Sequence, residues 1–277
     1  MPSPELFAKG LKNPSGLAFD AEEDLFVTGG QNGCVYKVSA DGKTSLFLSV
    51  GGQPVGIAFD DSDDMFIADN KRRHLLIVSL EEAVEIYASQ CHGRRFNGPH
   101  DLYFGPNGTL LFTDTEKGRP DHSGGIIYSV GLDGDVDELV TGLDRPTGLT
   151  ISEDATTLFV AEAGKNQIRS IPFAEEGTAA DQQDIFIRFE DGGDIGSLHF
   201  DTEGILYILR QDIGLTMVDP DGKAAGHIPL PGNHPTAMAF GGINFDELFI
   251  AEARTDAIYR LPARQPGQRP FAGPRAV

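Results

Sequence analysis

The residues best suited to chemistry in this chain sit beside one recurring phrase. Gly98-Pro-His-Asp-Leu-Tyr-Phe-Gly105 places His100 next to Asp101, and His234 opens His234-Pro-Thr-Ala-Met-Ala-Phe-Gly241. An imidazole titrates close to neutral pH, so either histidine could take a proton from water without a metal to make hydroxide. A carboxylate nearby, from Asp101, Asp194 or Glu162, would orient the ring. Arg145, Thr147 and Arg210 are suited to hold a polar substrate, because a guanidinium presents a fixed fork of donors to oxygen. Arg95 and Asn97, just ahead of the phrase that carries His100, would cover the same region. The plainer reading of each histidine is a polar plug bonded to a neighbouring strand. For Arg210 it is an ion pair with Glu162.

What must position these residues is a repeat. The phrase occurs six times, as Asn13-Pro-Ser-Gly-Leu-Ala-Phe-Asp20, Gln53-Pro-Val-Gly-Ile-Ala-Phe-Asp60, Gly98 to Gly105, Arg145-Pro-Thr-Gly-Leu-Thr-Ile-Ser152, Asp194-Ile-Gly-Ser-Leu-His-Phe-Asp201 and His234 to Gly241. The spacing of about 40 to about 49 residues is that of propeller blades and solenoid repeats. Each phrase is followed by a second short run that is apolar on both faces, such as Leu25-Phe-Val27 and Leu158-Phe-Val160. Such runs suit strands sandwiched between neighbouring sheets. Third and fourth strands follow, joined by Asp-Gly and Asn-Gly turns such as Asp41-Gly42 and Asp221-Gly222.

Four strands in each of six units, with almost no helical periodicity, predict an all-β six-bladed propeller. The sixth unit stops after three strands near Leu261, and a fourth-strand pattern, Glu5-Leu-Phe-Ala8, precedes the first phrase. The N-terminal strand is therefore expected to complete the last blade and close the ring without a free edge. Residues 1–262 form one propeller in this reading. Residues 263–277, rich in Pro, Gly and Arg, form a tail lying on the surface or mobile. The phrase starts and the ends of the second strands should meet at one mouth of the channel, with His100 and His234 in opposite blades. The acidic series Asp69, Asp114, Glu162 and Glu252 recurs at one place in four units, which favours a structural role accepting backbone N–H groups of the next blade. His74, His92, His122, His199 and His227 read as structural.

Composition narrows the partners. The formal net charge is -20 over 277 residues, which repels phosphate backbones and argues against nucleic acid. No apolar run is long enough to span a membrane. Two cysteines and no leader-like N-terminus point to a cytoplasmic protein with a small-molecule substrate. Nothing in the sequence sets an oligomeric state. Nucleophile-elbow and zinc-protease signatures are absent. Gly42-Lys43-Thr44 lacks the first glycine of a phosphate loop, where Lys37 stands, and Glu138 replaces the turn glycine of a calcium loop after Asp133.

The stretch Gly93-Arg-Arg-Phe-Asn-Gly-Pro-His-Asp101, with Gly108-Thr-Leu-Leu-Phe-Thr-Asp-Thr-Glu-Lys-Gly118, resembles the family of gluconolactonase, regucalcin and luciferin-regenerating enzyme. Arg145-Pro-Thr-Gly148 and Pro235-Thr236 through Phe240-Gly-Gly242 carry the same resemblance. It implies a six-bladed propeller and, in many members, a divalent-metal-dependent lactonase. The family's metal ligands, a Glu, an Asn and an Asp, fall here on Ser15, Thr147 and Gly196, and a further Asn falls on His100. The resemblance thus implies a divergent member lacking the usual ligand set. A rearranged site of His100, His234 and one carboxylate would take a softer divalent ion. The reading that follows is an atypical lactonase-like hydrolase of a small sugar-type lactone or related ester, with His100 as base or water activator. The alternatives are a lyase or isomerase acting on a hydroxylated acid, and a non-catalytic binding platform.

Overall fold

The computed structural model describes residues 3–115, 124–174 and 177–271. His122 and the end of the Gly108–Gly118 motif lie outside the described residues. Six four-stranded antiparallel sheets are arranged as blades, and the innermost strands are Pro14–Phe19, Pro54–Phe59, Pro99–Phe104, Pro146–Ile151, Ile195–Phe200 and Pro235–Gly241. Each is one copy of the recurring phrase. The second strands are buried throughout save for the first residue of those in blades four and six, Thr157 and Glu247, as expected of strands covered on both faces. No helix among the described residues is long and apolar enough to cross a membrane.

The aromatic near the end of the phrase explains why the phrase repeats. Phe59, Phe104, Phe200 and Phe240 each meet an aromatic on the second strand of the preceding blade. The pairs are Phe26–Phe59, Phe66–Phe104, Phe159–Phe200 and Tyr207–Phe240, with centroids 5.2, 5.3, 5.0 and 5.2 Å apart. Phe19 meets Phe249 of the last blade at 5.1 Å and so takes part in closing the ring. Tilted and edge-on pairs of this kind add to the stabilisation from burial alone.

Closure follows the sequence expectation. The N-terminal strand Glu5–Lys9 pairs antiparallel with Ala257–Pro262, placing Glu5 opposite Arg260 and Lys9 opposite Ala257. Phe7 packs edge-on against Phe249 at 5.0 Å, so the closing strand also adds to the core of the last blade. The described part of the segment after Pro262, up to residue 271, is more tightly held than its composition suggests. Pro266 O accepts from Thr202 N, Gln268 N donates to Phe200 O, and the Gln268 side chain donates to Ile151 O. These bonds run across the face opposite the strand starts and join blades four and five.

Every innermost strand carries a β-bulge near its start. In blade three the pairing steps from Pro99–Asp114 to Leu102–Phe112, so His100 and Asp101 together oppose Thr113. The Thr113 hydroxyl fills the gap, accepting from Asp101 N at 3.0 Å and donating to Thr147 O of blade four at 2.7 Å. Thr28 repeats this between blades one and two, taking Gly16 N and giving to Val55 O. The fourth phrase position is glycine in blades one, two and four, because the neighbouring strand's carbonyl occupies the place of a side chain. A Cβ on Gly16, Gly56 or Gly148 would collide with the carbonyl of Val55, His100 or Gly196 respectively. Gly56→Ala should therefore destabilise the protein by about 1–3 kcal/mol, because backbone must move to admit the methyl group. Denaturant unfolding of the variant checks this, and an unchanged midpoint would contradict the close packing.

Candidate functional site

The strand starts surround a cavity of about 540 Å³ at one mouth of the channel. Of the expected site residues, Asn97, His100, Asp101, Arg145, Thr147, Asp194 and His234 line it, as do Ser15 and Gly196. Arg95, Glu162 and Arg210 do not. Arg210 is buried and turned back into blade five, where its guanidinium bonds Asp191 and Gly192 O and lies 3.9 Å from the centre of the Phe189 ring. Its partner is Asp191 and not Glu162. Glu162 is fully buried and engaged by Asp144 N, Lys165, Gln167 and Arg169. It is not free to orient a histidine. Arg95 is exposed beside the mouth and donates to Arg72 O.

The acidic series does accept backbone N–H groups, but from its own blade. Asp69 takes Gln53 N, Asp114 takes Asn97 N and Gly98 N, and Glu252 takes His234 N. Each carboxylate fixes the residue that enters the innermost strand. The series therefore positions the rim of the cavity, with the carboxylates themselves buried beneath it.

Within the cavity, blade three is chemically distinct. The paired bulge positions hold Ser15 and Gly16, Val55 and Gly56, Thr147 and Gly148, Gly196 and Ser197, and Thr236 and Ala237 in the other blades. Only blade three presents titratable side chains there, His100 and Asp101. By exposed area both are half-buried, yet the surface they expose faces the channel and protein surrounds them. That burial pushes the His100 imidazole down to about 4, so it is neutral at pH 7. Burial pushes the Asp101 carboxyl up to about 7, against the opposing effect of N–H donors from Leu149 and Leu102. The expected orientation of His100 by Asp101 is not formed. Nδ1 of His100 is buried without a partner, while the Asp101 oxygens accept Leu102 N at 3.1 Å and Leu149 N at 3.1 Å.

Arg145 and Asp194 form a second element of the rim, paired at 2.9 Å across blades four and five. The Arg145 guanidinium also donates to Ala163 O at 3.0 Å, and its Nε is buried without a partner. Asp194 is thus committed to Arg145 and does not orient an imidazole. His234, in the blade opposite His100, also reaches the cavity. Deeper in the channel lie Tyr103, Ser197 and His199. His199 is neutral at pH 7, pushed down to about 4 by burial despite a bond to the Met238 backbone. It reads as structural in the sequence, but it lines the cavity. The sixth phrase position is Ala18, Ala58 and Ala239 in three blades, so Tyr103 and His199 are visible there as the large polar exceptions.

The chain matches the model of the SMP-30/gluconolactonase/LRE-like region over residues 47–254. The chain belongs to this family. It is 26% identical over 177 residues to a gluconolactonase of Zymomonas mobilis, covering 57% of this chain and 49% of that protein. It is also 26% identical over 138 residues to a pentonolactonase of Haloferax volcanii, covering 49% of this chain and 47% of that one. The chain therefore spans about half the length of these two relatives. A regucalcin from Agrobacterium tumefaciens superposes with a TM-score of 0.84 at 19% identity, covering 99% and 100% of the two chains. That likeness carries the fold alone.

The metal site that the family implies does not fit this donor set. A hard divalent cation needs several oxygen ligands with negative charge. At the corresponding positions Ser15 is neutral, Gly196 has no side chain, and the Thr147 hydroxyl is donated to Ile195 O at 2.8 Å. The softer alternative is not assembled either: among the described residues no three His, Cys, Asp or Glu side chains converge on one point.

The raised Asp101 carboxyl has a consequence for stability. The folded state holds this proton up to about pH 7, whereas the unfolded chain releases it near 3.8. Its contribution is fully present below the unfolded value and is lost as pH rises towards 7. The stability of wild type relative to Asp101→Asn should therefore fall between about pH 4 and about pH 7 and level off above. Paired denaturant titrations across that range test this, and a pH-independent difference would contradict it.

Proposed function

We propose that this chain is a lactonase-like hydrolase that opens a small lactone of the sugar type, or a related ester, at the near mouth of the channel. The observation that carries the reading is the bulge of blade three, which alone turns two titratable side chains, His100 and Asp101, into the cavity. Membership of a family with lactonases among its relatives supports the substrate class.

The two groups are complementary at neutral pH. His100 is a neutral imidazole and can accept a proton. Asp101 holds a proton near neutrality and can donate one. In the reaction, His100 takes a proton from water as its oxygen bonds to the lactone carbonyl carbon. The carbonyl oxygen becomes an oxyanion, and the rim donors Arg145 and Asn97 are suited to stabilise it. The carbonyl then reforms as the bond to the ring oxygen breaks, and Asp101 protonates that oxygen. Return of the proton from His100 to Asp101 restores the site. Water is consumed and the product is a hydroxy acid. The polar rim, with Asn13, Gln53 and Asn70 beside Asn97, suits a small polyhydroxylated substrate, because amides offer both donors and acceptors to hydroxyl groups.

A pH-indicator assay over sugar and aliphatic lactones, run on chelator-treated protein, tests this reading. Turnover is expected to resist chelation and to fall by about 10²–10⁴ in His100→Ala. The acid limb of kcat/KM should lie near pH 4, where His100 becomes protonated. Activity that appears only on adding a divalent metal, or that survives His100→Ala, would overturn the mechanism.

A further inference from the structure

The net charge of -20 is unevenly placed. In blades one and two the acids gather in the turns after the innermost strands, at Asp20, Glu22, Asp24, Asp60, Asp61 and Asp64, on the face away from the cavity. On the cavity side, the turn after Asp69 carries Lys71, Arg72 and Arg73, and the short hairpin ahead of blade three carries Arg94 and Arg95.

These two loops interlock. Arg95 Nη2 donates to Arg72 O at 3.2 Å, Arg73 Nε donates to Phe96 O at 2.6 Å, and Arg72 Nη1 donates to Val50 O at 2.8 Å. Each guanidinium spends one arm on a backbone carbonyl and is thereby held in place. Lys71, Arg72 and Arg95 are exposed, and among the described residues none of them has a carboxylate at ion-pair distance. Asp69 lies beneath the group, fully buried, and is used by Gln53 N and Arg72 N. The patch adjoins the cavity through Asn70 and Asn97, which belong to the same two loops and line it.

We propose that this edge of the mouth binds an anionic arm of the substrate, with the polyol portion seated in the cavity. A phosphate monoester matches the patch best, since arginine forks pair with tetrahedral oxyanions through charge-assisted bonds. The overall acidity of the protein does not oppose this. At physiological ionic strength the screening length is about 8 Å, so the carboxylates of the far face are screened while the clustered cations act at contact range. The inference deepens the hydrolase reading by naming a charged substrate class, and it rests on that reading for what fills the cavity.

Calorimetric titration of the full chain with 6-phosphogluconate, gluconate and inorganic phosphate tests the proposal without requiring turnover. 6-Phosphogluconate is expected to bind at least about tenfold more tightly than either gluconate or phosphate alone. The advantage should shrink as salt is raised and disappear in a Lys71→Gln/Arg95→Gln variant whose circular dichroism and melting temperature match wild type. Equal binding of the two acids, a preference that survives the double substitution, or phosphate binding as tight as that of 6-phosphogluconate would each overturn it. Lactone turnover without a phosphate preference removes only this inference. A phosphate preference without turnover removes the hydrolase reading and leaves the anion site.

Discussion

Six innermost strands must approach one another closely around a narrow channel, and the bulge at the start of each makes this feasible. The extra residue bends the strand and brings two successive side-chain positions to bear on the channel or the neighbouring strand. The approach is so close in blades one, two and four that only glycine fits the second of these positions. Threonine hydroxyls from the second strands fill the bulges and tie blade to blade, as Thr28 and Thr113 do. A residue that breaks the glycine pattern must therefore find room and partners in the wall of the channel. Asp101 does so by accepting Leu149 N of blade four.

The same packing sets the electrostatics of the site. Enclosure by the ring raises the cost of every charge within it, so His100 and His199 are held neutral and Asp101 stays protonated towards neutral pH. The charged pair on the cavity rim and the carboxylates buried beneath it are compensated, unlike the cations at its outer edge. Arg145 is paired with Asp194, and the buried carboxylates below the rim are occupied by backbone N–H groups and by cations such as Arg169. Proton-transfer chemistry is thus possible at a site whose net charge is small, in a protein whose surface is strongly acidic.

The fold was legible in the sequence because its cause is repeated. The aromatic at the phrase end packs between blades in five of the six units, with Ile151 in its place in the fourth, and the buried second strand recurs in every unit. The closing strand was legible from Glu5-Leu-Phe-Ala8 because a blade lacking its fourth strand implies where that strand lies. The site was legible only in part. Repeated acids such as Asp69 and Glu252 could be recognised as structural, but the direction of their bonds, within a blade and not between blades, depends on backbone geometry that the sequence does not display. In blade five the place of these acids is held by Arg210, which proves to be internal to the blade, where a flanking Asp191 and Phe189 take the charge. His199 was missed because an imidazole within a strand has the same sequence signature whether it faces a sheet or a channel. The hold on residues 266–268 was hidden because it runs mostly through backbone atoms, which composition does not report.

Within its family the chain keeps the ring and the mouth, and Ser15, Thr147 and Gly196 stand where the resemblance implies a Glu, an Asn and an Asp. Thr147 is spent on joining blades four and five. What stands in their place is the imidazole and carboxyl pair of blade three, and the central claim is that a substrate engages this pair directly. A crystal structure with a non-hydrolysable lactam analogue of a sugar lactone, grown with divalent metal present, tests the claim most directly. The account predicts the lactam carbonyl in the near mouth beside His100 and Asp101, with no metal between them. A lactam seated elsewhere, or one coordinated through a bound metal, would contradict it.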